Sequence, residues 1–298
     1  MEEYRELRSK HALSELFHTP ELAATITLQP IKRFGMDAAI VFSDILLVLE
    51  LFGFNVEFPE GKGPFVKGPL DLESTTLRFG REKLGYLREI IELVKPQLTV
   101  PLIGFCGGPY TIATYLIGKD LISYWMQEKK EALHILLEKI TEAIRIFLRV
   151  QEDAGVLALQ IFDSWAGLLS KRDFTIWALP YLAKTVQTVR LPCTVFTRNA
   201  HEFVAELVSL RPAAMSFDEG GDMVSLRRRV PPDIAIQGNL SPVALLGTKK
   251  SVKENTLALL NAMKGEKGFI VNLGHGVLPN TPSENVKVFV DTVKHYTS

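Results

Sequence analysis

The stretch Val100–Gly108 reads VPLIGFCGG, an apolar run that breaks into glycines and leads directly into Pro109-Tyr110-Thr111-Ile112. Its apolar positions are continuous rather than alternating, as a strand requires when both of its faces are covered. The same phrase recurs in both directions along the chain. It returns as Asp37–Ile45 (DAAIVFSDI), Ala158–Ser164 (ALQIFDS), Pro192–Asn199 (PCTVFTRN), Ala213–Glu219 (AAMSFDE), Ile234–Leu240 (IAIQGNL) and Phe269–Gly276 (FIVNLGHG).

Helical spacing fills the intervals. Leu84, Leu87, Ile91 and Val94 recur at steps of three and four, and Pro96 ends the stretch because it brings no N–H to the ladder. Leu133, Leu136, Ile140, Ala143 and Phe147 mark a longer helix that closes near Gly155, while Phe203, Leu207 and Leu210 mark a short one. Thr281-Pro282-Ser283-Glu284 has the parts of a capping box with proline at the first helical position, ahead of Val286, Val290 and Val293. Strands alternating with helices leave an open doubly wound sheet or a (β/α)8 TIM barrel. Gly61-Lys62-Gly63-Pro64 lacks the ending of a phosphate loop, and Gly104–Gly108 lacks the dinucleotide spacing. The even cadence without a nucleotide motif favours the barrel, as one domain over residues 1–298 with one strand short of eight. Phe54–Leu77 reads as a long loop.

Composition narrows the function classes. Of 298 residues, 47% are apolar and 23% charged, which suits a globular chain with a sizeable core. Basic and acidic residues balance at 34 each, which speaks against a nucleic-acid partner. The two cysteines, Cys106 and Cys193, form no CxxC pair and no disulfide framework. A charged N-terminus and the lack of a long apolar run predict no membrane partner and a soluble, cytoplasmic protein.

In a barrel the chemistry sits where strands finish. Those ends read Ser43-Asp44, Gly107-Gly108-Pro109, Asp163-Ser164, Arg198-Asn199, Asp218-Glu219, Gln237-Gly238-Asn239 and Gly274-His275-Gly276, a pattern that predicts one polar pocket. Turn and helix-cap chemistry is the competing reading at each of them. Asp44, between Ala38–Phe42 and Ile45–Leu49, is expected to be semi-buried, as an N-cap, as a partner for a nearby arginine, or as an anion aimed at a ligand's N–H groups or at charge developing in a reaction. His275 lies between glycines that allow close approach to a ligand, and is equally readable as a turn residue. Tyr115 falls in the first turns of a helix, where packing is the ordinary role. No HExxH or GxSxG motif occurs, no local zinc spacing is present, and Arg227-Arg228-Arg229 reads as a solvated helix face.

These stretches together resemble the uroporphyrinogen decarboxylase family. The likeness is carried by Tyr4–Arg8 (YRELR), Thr27–Leu46 (TLQPIKRFGMDAAIVFSDIL), Gly61–Pro64 (GKGP), Pro101–Ile117 (PLIGFCGGPYTIATYLI), Leu159–Gly167 (LQIFDSWAG), Ile236–Pro242 (IQGNLSP) and Asn272–Pro282 (NLGHGVLPNTP). The resemblance implies a (β/α)8 barrel, usually a homodimer, whose small-molecule substrate is uroporphyrinogen. It implies loss of CO2 from four acetate side chains to give coproporphyrinogen, in heme and porphyrin biosynthesis, with neither metal nor organic cofactor. It implies that Asp44 binds the central pyrrole N–H groups and acts in catalysis. By the same resemblance Tyr115, Ser164 and His275 contact substrate carboxylates or the reacting ring.

The family's opening segment reads roughly PVWxMRQAGRYxPEYR, and this chain starts inside it at Glu2-Glu3-Tyr4-Arg5. The resemblance therefore implies a truncated first barrel strand, absence of the two arginines of RQAGR, poor stability and weak activity for the chain as it stands. Arg198 stands where relatives commonly carry lysine, and Ser241 where aspartate is frequent. Arg198 retains the ability to meet a carboxylate with a planar fork. The alternatives are a zinc-dependent corrinoid or thiol methyltransferase on the same fold, and an inactive tetrapyrrole-binding protein.

Overall fold

The protein is described by a computed structural model, which covers residues 1–59, 63–68 and 72–296. Three helices, Glu2–Lys10, Leu13–His18 and Pro20–Phe34, precede the first strand, β1 (Ala39–Ile40). The third begins with proline at its first position and ends at Gly35, which takes the left-handed conformation (φ 66°) that glycine adopts without strain. Periodicity alone does not announce these helices, since the first of them buries no residue. An antiparallel ribbon of β2 (Asn55–Glu57) and β3 (Phe65–Lys67) then occupies part of the segment expected to be a plain loop. Gly61 and Lys62 of the GKGP stretch lie outside the described residues.

The remaining strands follow in the expected places: β4 (Leu102–Gly107), β5 (Ala158–Phe162), β6 (Cys193–Phe196), β7 (Ala214–Ser216), β8 (Ala235–Leu240) and β9 (Phe269–Leu273). Together with β1 they form one parallel seven-stranded sheet in the order β1-β4-β5-β6-β7-β8-β9. Helices Gly85–Val94, Pro109–Ile117, Lys130–Ala154, Leu179–Thr188, Val204–Ser209, Met223–Arg229, Lys249–Ala262 and Ser283–Lys294 connect and cover the strands. The long helix Lys130–Ala154 ends at Gly155 (φ 105°), as its apolar stripe and the glycine predicted.

Side chains on alternate strand positions divide between two layers. Leu102, Cys106, Leu159, Ile161, Cys193 and Val195 are buried against the helices. Burial lifts both thiols, Cys193 to about 12 and Cys106 well above its ordinary value, the behaviour of packed core cysteines. A second, smaller core gathers Phe34, Leu240, Leu245, Val252, Phe289 and Val290 beneath the last helix.

Among the described residues β1 and β9 are not paired with one another, so the seven strands of the expected barrel, one short of eight, are present as an open arc. A cavity of about 450 Å³ lies at the seam, lined by Ile40, Ile103, Gln160, Gln237, Ile270 and Phe289 among others. Ile40 and Ile270 remain 45% and 44% exposed there, unusual for β-branched apolar side chains of a sheet.

Two local expectations are corrected. The helix after Thr281 begins at Ser283 with Pro282 as N-cap in extended backbone, and no side chain caps it. Asn285 instead ties this turn down, donating to the carbonyls of Leu245 and Gly247 at 2.8 Å each. Arg227 is no solvated residue: it is buried and donates to the carbonyls of Ile234, Val230 and Pro231. It thereby satisfies acceptors at the end of its own helix.

Candidate active site

The carboxyl ends of the strands form one rim, laced by hydrogen bonds between side chains and backbone. Asp163 Oδ1 accepts the N–H of Thr111 at 2.7 Å, joining the end of β5 to the first turn of helix Pro109–Ile117. Thr111 Oγ1 in turn accepts the N–H of Trp165 at 3.0 Å. Further round, Asn199 Nδ2 donates to the carbonyl of Gly167 (3.2 Å), and the Asn199 N–H donates to Asp218 Oδ2 (2.7 Å). Asn239 Nδ2 then donates to the carbonyls of Asp218 (2.9 Å) and Gly221 (2.6 Å). Close approach at this rim explains two glycines. A Cβ on Gly108 would lie 2.3 Å from Asp163 Cβ and Cγ, and one on Gly167 only 1.7 Å from the Arg198 carbonyl oxygen.

For Asp163, Asn199, Asp218 and Asn239 the turn-chemistry reading of the strand ends therefore holds: their polar atoms build the rim. A different set is left over. Among the described residues Tyr115, Ser164, Arg198 and His275 have no side-chain hydrogen bond or ion pair, although all lie on the same rim. Tyr115 is half-buried and meets the Trp165 ring edge-on at 6.1 Å, and the Arg198 guanidinium lies 5.9 Å from the centre of that same ring. His275 is exposed, with its ring 6.3 Å from Phe196. Phe196 continues through Phe162 (5.9 Å) to Phe105 (5.8 Å), an apolar floor across three neighbouring strands.

Asp44 stands on the remaining side of the rim. Its chain is held by Val41 N–H donating to Ile103 O at 3.0 Å and Phe42 N–H donating to Thr27 Oγ1 at 2.9 Å. Its neighbour Ile45 packs close to Gly107, where an added Cβ would lie 3.2 Å from Ile45 Cβ. Asp44 Oδ1 accepts the Leu46 N–H at 2.8 Å, and among the described residues no Lys, Arg or His forms an ion pair with it. The arginine-partner alternative is thus not what the structure contains. Burial raises its carboxyl to about 6, the bond from Leu46 pulling the other way, so it is an anion at neutral pH with most of its capacity to accept unused.

Sequence reasoning passed over Asp163 as a functional residue. It is fully buried, burial lifts it to about 6, and Oδ2 has no hydrogen-bond partner while Oδ1 holds the helix that carries Tyr115. Its place at the end of the apolar run Ala158–Phe162 is the one sequence feature that points to it. Among the described residues no three His, Cys, Asp or Glu side chains converge as metal ligands, and no helix is long and apolar enough to cross a membrane.

The profile of the family described as Uroporphyrinogen decarboxylase (URO-D) matches residues 1–296. The chain belongs to the uroporphyrinogen decarboxylase family. It is 40% identical over 303 residues to the uroporphyrinogen decarboxylase of Protochlamydia amoebophila, covering 98% of this chain and 83% of that one. To the uroporphyrinogen decarboxylase of Desulfotalea psychrophila it is 39% identical, covering 97% and 89%. Among solved structures, a methyltransferase from Methanosarcina mazei superposes with a TM-score of 0.83 at 24% identity, covering 95% of this chain and 87% of that one. A B12-independent methionine synthase from Shewanella superposes at 0.62 with 12% identity, covering 94% and 87%. Likeness at those identities speaks to the fold, and the family assignment comes from the sequence relatives.

Proposed function

We propose that the protein decarboxylates uroporphyrinogen to coproporphyrinogen, with Asp44 as the anion at the centre of the reaction. The reading takes the seven-stranded arc as the wall of a (β/α)8-type barrel whose working side is the rim of strand ends. The observation that carries it is Asp44 itself: a half-buried carboxylate that accepts one backbone N–H and is matched by no cation among the described residues.

The chemistry needs such an anion. Heterolysis of the bond between an acetate methylene and its carboxylate releases CO2 and leaves an electron pair with nowhere to go. Protonation of the ring carbon next to the one that bears the acetate first makes the ring cationic, with positive charge reaching the acetate-bearing carbon. The electron pair then flows into the ring, the exocyclic methylene carbon takes a proton to become methyl, and the ring proton is lost. The substrate is its own electron sink. In a site of low dielectric, a fixed carboxylate stabilises the ring cation without reorganising, and the same oxygens accept hydrogen bonds from the pyrrole N–H groups. Arg198 and His275 supply cationic or donor groups for substrate carboxylates, and Tyr115 and Ser164 supply hydroxyls. Uroporphyrinogen supplied to the purified protein should yield coproporphyrinogen, read by chromatography after oxidation to porphyrins. Absence of that product from the wild-type protein, with uroporphyrinogen bound and unconverted, would refute the reading.

A further inference from the structure

A second group of polar side chains lies behind Asp44. His18 ends the helix Leu13–His18, Glu50 sits in the 3-10 helix Leu47–Phe52, and Tyr86 lies in the helix Gly85–Val94. His18 Nε2 is 2.6 Å from Glu50 Oε1, and the Tyr86 hydroxyl donates to Glu50 Oε2 at 3.1 Å. The imidazole lies 4.5 Å from the Tyr86 ring, centre to centre. Glu50 is only 8% exposed, in the middle of the buried run Leu46–Phe52.

The protonation state follows from the partners. His18 Nδ1 lies 2.7 Å from the carbonyl oxygen of Ser14, which only accepts, so Nδ1 carries hydrogen. Nε2 faces a carboxylate, which also only accepts, so it carries hydrogen too. The ring is an imidazolium, and the buried Glu50 is its counter-ion. Glu50 lifts His18 above its ordinary value against the opposing effects of burial and of Lys83, while burial raises the Tyr86 hydroxyl, with smaller additions from Glu50 and then Asp44. Lys83, Glu50, Tyr86 and Asp44 are the titratable groups whose fields act on this network; Glu15 on the same helix is paired with His11.

The network bears on the site through one short turn. Leu46 N–H donates to Asp44 Oδ1, Leu47 N–H to the Asp44 carbonyl, and Leu49 N–H to the Leu46 carbonyl. Glu50 comes next in the chain, and it is the only charged side chain between Asp44 and Gly53. Two helices thus grip, through that carboxylate, the turn whose N–H group holds Asp44. We infer that His18, acting through Glu50 and Tyr86, is a positioning residue for Asp44, and that its charge keeps the carboxylate at the angle and spacing the reaction uses. The inference rests on the reading of Asp44 given above.

The test uses the full chain carrying carboxyl-13C aspartate, with Asp44 assigned by Asp44→Asn. Its resonance is followed against pH in the wild type and in the His18→Gln and Tyr86→Phe variants. In His18→Gln the Asp44 titration should move upward, because Glu50 is left as an uncompensated neighbouring anion, and kcat/KM should fall about tenfold. The wild type should lose kcat/KM as pH rises through the imidazolium's deprotonation, and His18→Gln should lack that limb. Tyr86→Phe keeps the ion pair, so it should fold and show a smaller shift of the Asp44 resonance. A folded His18→Gln whose Asp44 resonance and titration superimpose on wild type, with only a lowered Tm, would overturn the inference. If His18→Gln does not fold, an unshifted Asp44 resonance in Tyr86→Phe overturns it. Failure of the decarboxylase reading would be visible separately, as no coproporphyrinogen from the wild type while the Asp44 resonance still responds.

Discussion

Asp44 and Asp163 are two aspartates at strand ends of one rim, both lifted to about 6 by burial, and they do opposite things. Asp163 is fully inside, its Oδ1 spent on the start of helix Pro109–Ile117 and its Oδ2 without a partner. Asp44 is half-buried, accepts one N–H from its own turn, and has no cation beside it among the described residues. The same electrostatic elevation therefore accompanies a structural anchor in one place and an unspent charge in the other. A raised carboxyl does not by itself mark a reacting group; exposure to the rim, and whether the accepted N–H belongs to another element or to its own turn, separate the two.

The largest effect that tests this contrast belongs to Asp44→Asn. Removing a preorganised charge from a reacting centre should cost on the order of 100- to 1,000-fold in kcat/KM, while Tm at neutral pH should rise because the charge that burial disfavours is gone. The wild type should show an acid limb in kcat/KM centred near pH 6, where Asp44 ionises, and the variant's residual activity should lack it. A flat wild-type profile across that range would break the comparison at its functional end.

Asp163 should appear in stability instead. Its folded value is raised from 3.8 to about 6, so between those values the folded state holds a proton that the unfolded chain has lost. Stability should fall as pH rises through that window and level off above it, by about 3 kcal/mol for a shift of this size. Denaturant melts of Asp163→Asn at pH 4 and pH 7 should show that difference removed. Gly108→Ala attacks the same anchor sterically, since its new methyl meets Asp163 Cβ and Cγ, and a destabilisation of about 1–3 kcal/mol is expected by chemical denaturation. The smallest effect is assigned to Tyr115→Phe. Loss of one hydroxyl contact to a substrate carboxylate should lower kcat/KM about tenfold and leave the melt untouched.

The strands were legible because parallel strands covered on both faces spell continuous apolar runs, and each of the seven appears within the stretch that predicted it. Asp44 was legible for the same reason: a carboxylate inside such a run stands out. Where tertiary contacts decide, the sequence reading failed. Three carbonyls turn Arg227 inward, and nothing in Arg227-Arg228-Arg229 tells the first arginine from its neighbours. Thr281 has the form of a cap, yet the helix starts one residue later because Asn285 is anchored to a distant turn. The role of Asp163 needs the partner Thr111, 52 positions away, and the His18–Glu50 pair spans 32. Pairings at such separations leave no periodic trace.

The seam between β1 and β9 sets the order in which the sheet comes apart. Strands β5, β6 and β7 each have a hydrogen-bonded neighbour on either side, whereas β1 and β9 each have one, and β1 is two residues long. Under deuterium labelling of the native protein the amides flanking Ile40 and Ile270 should exchange first, and those of Ile161 and Val195 last. Fraying should advance inward from both lips of the gap, so that the segment next to Asp44 loosens while the opposite wall is still intact.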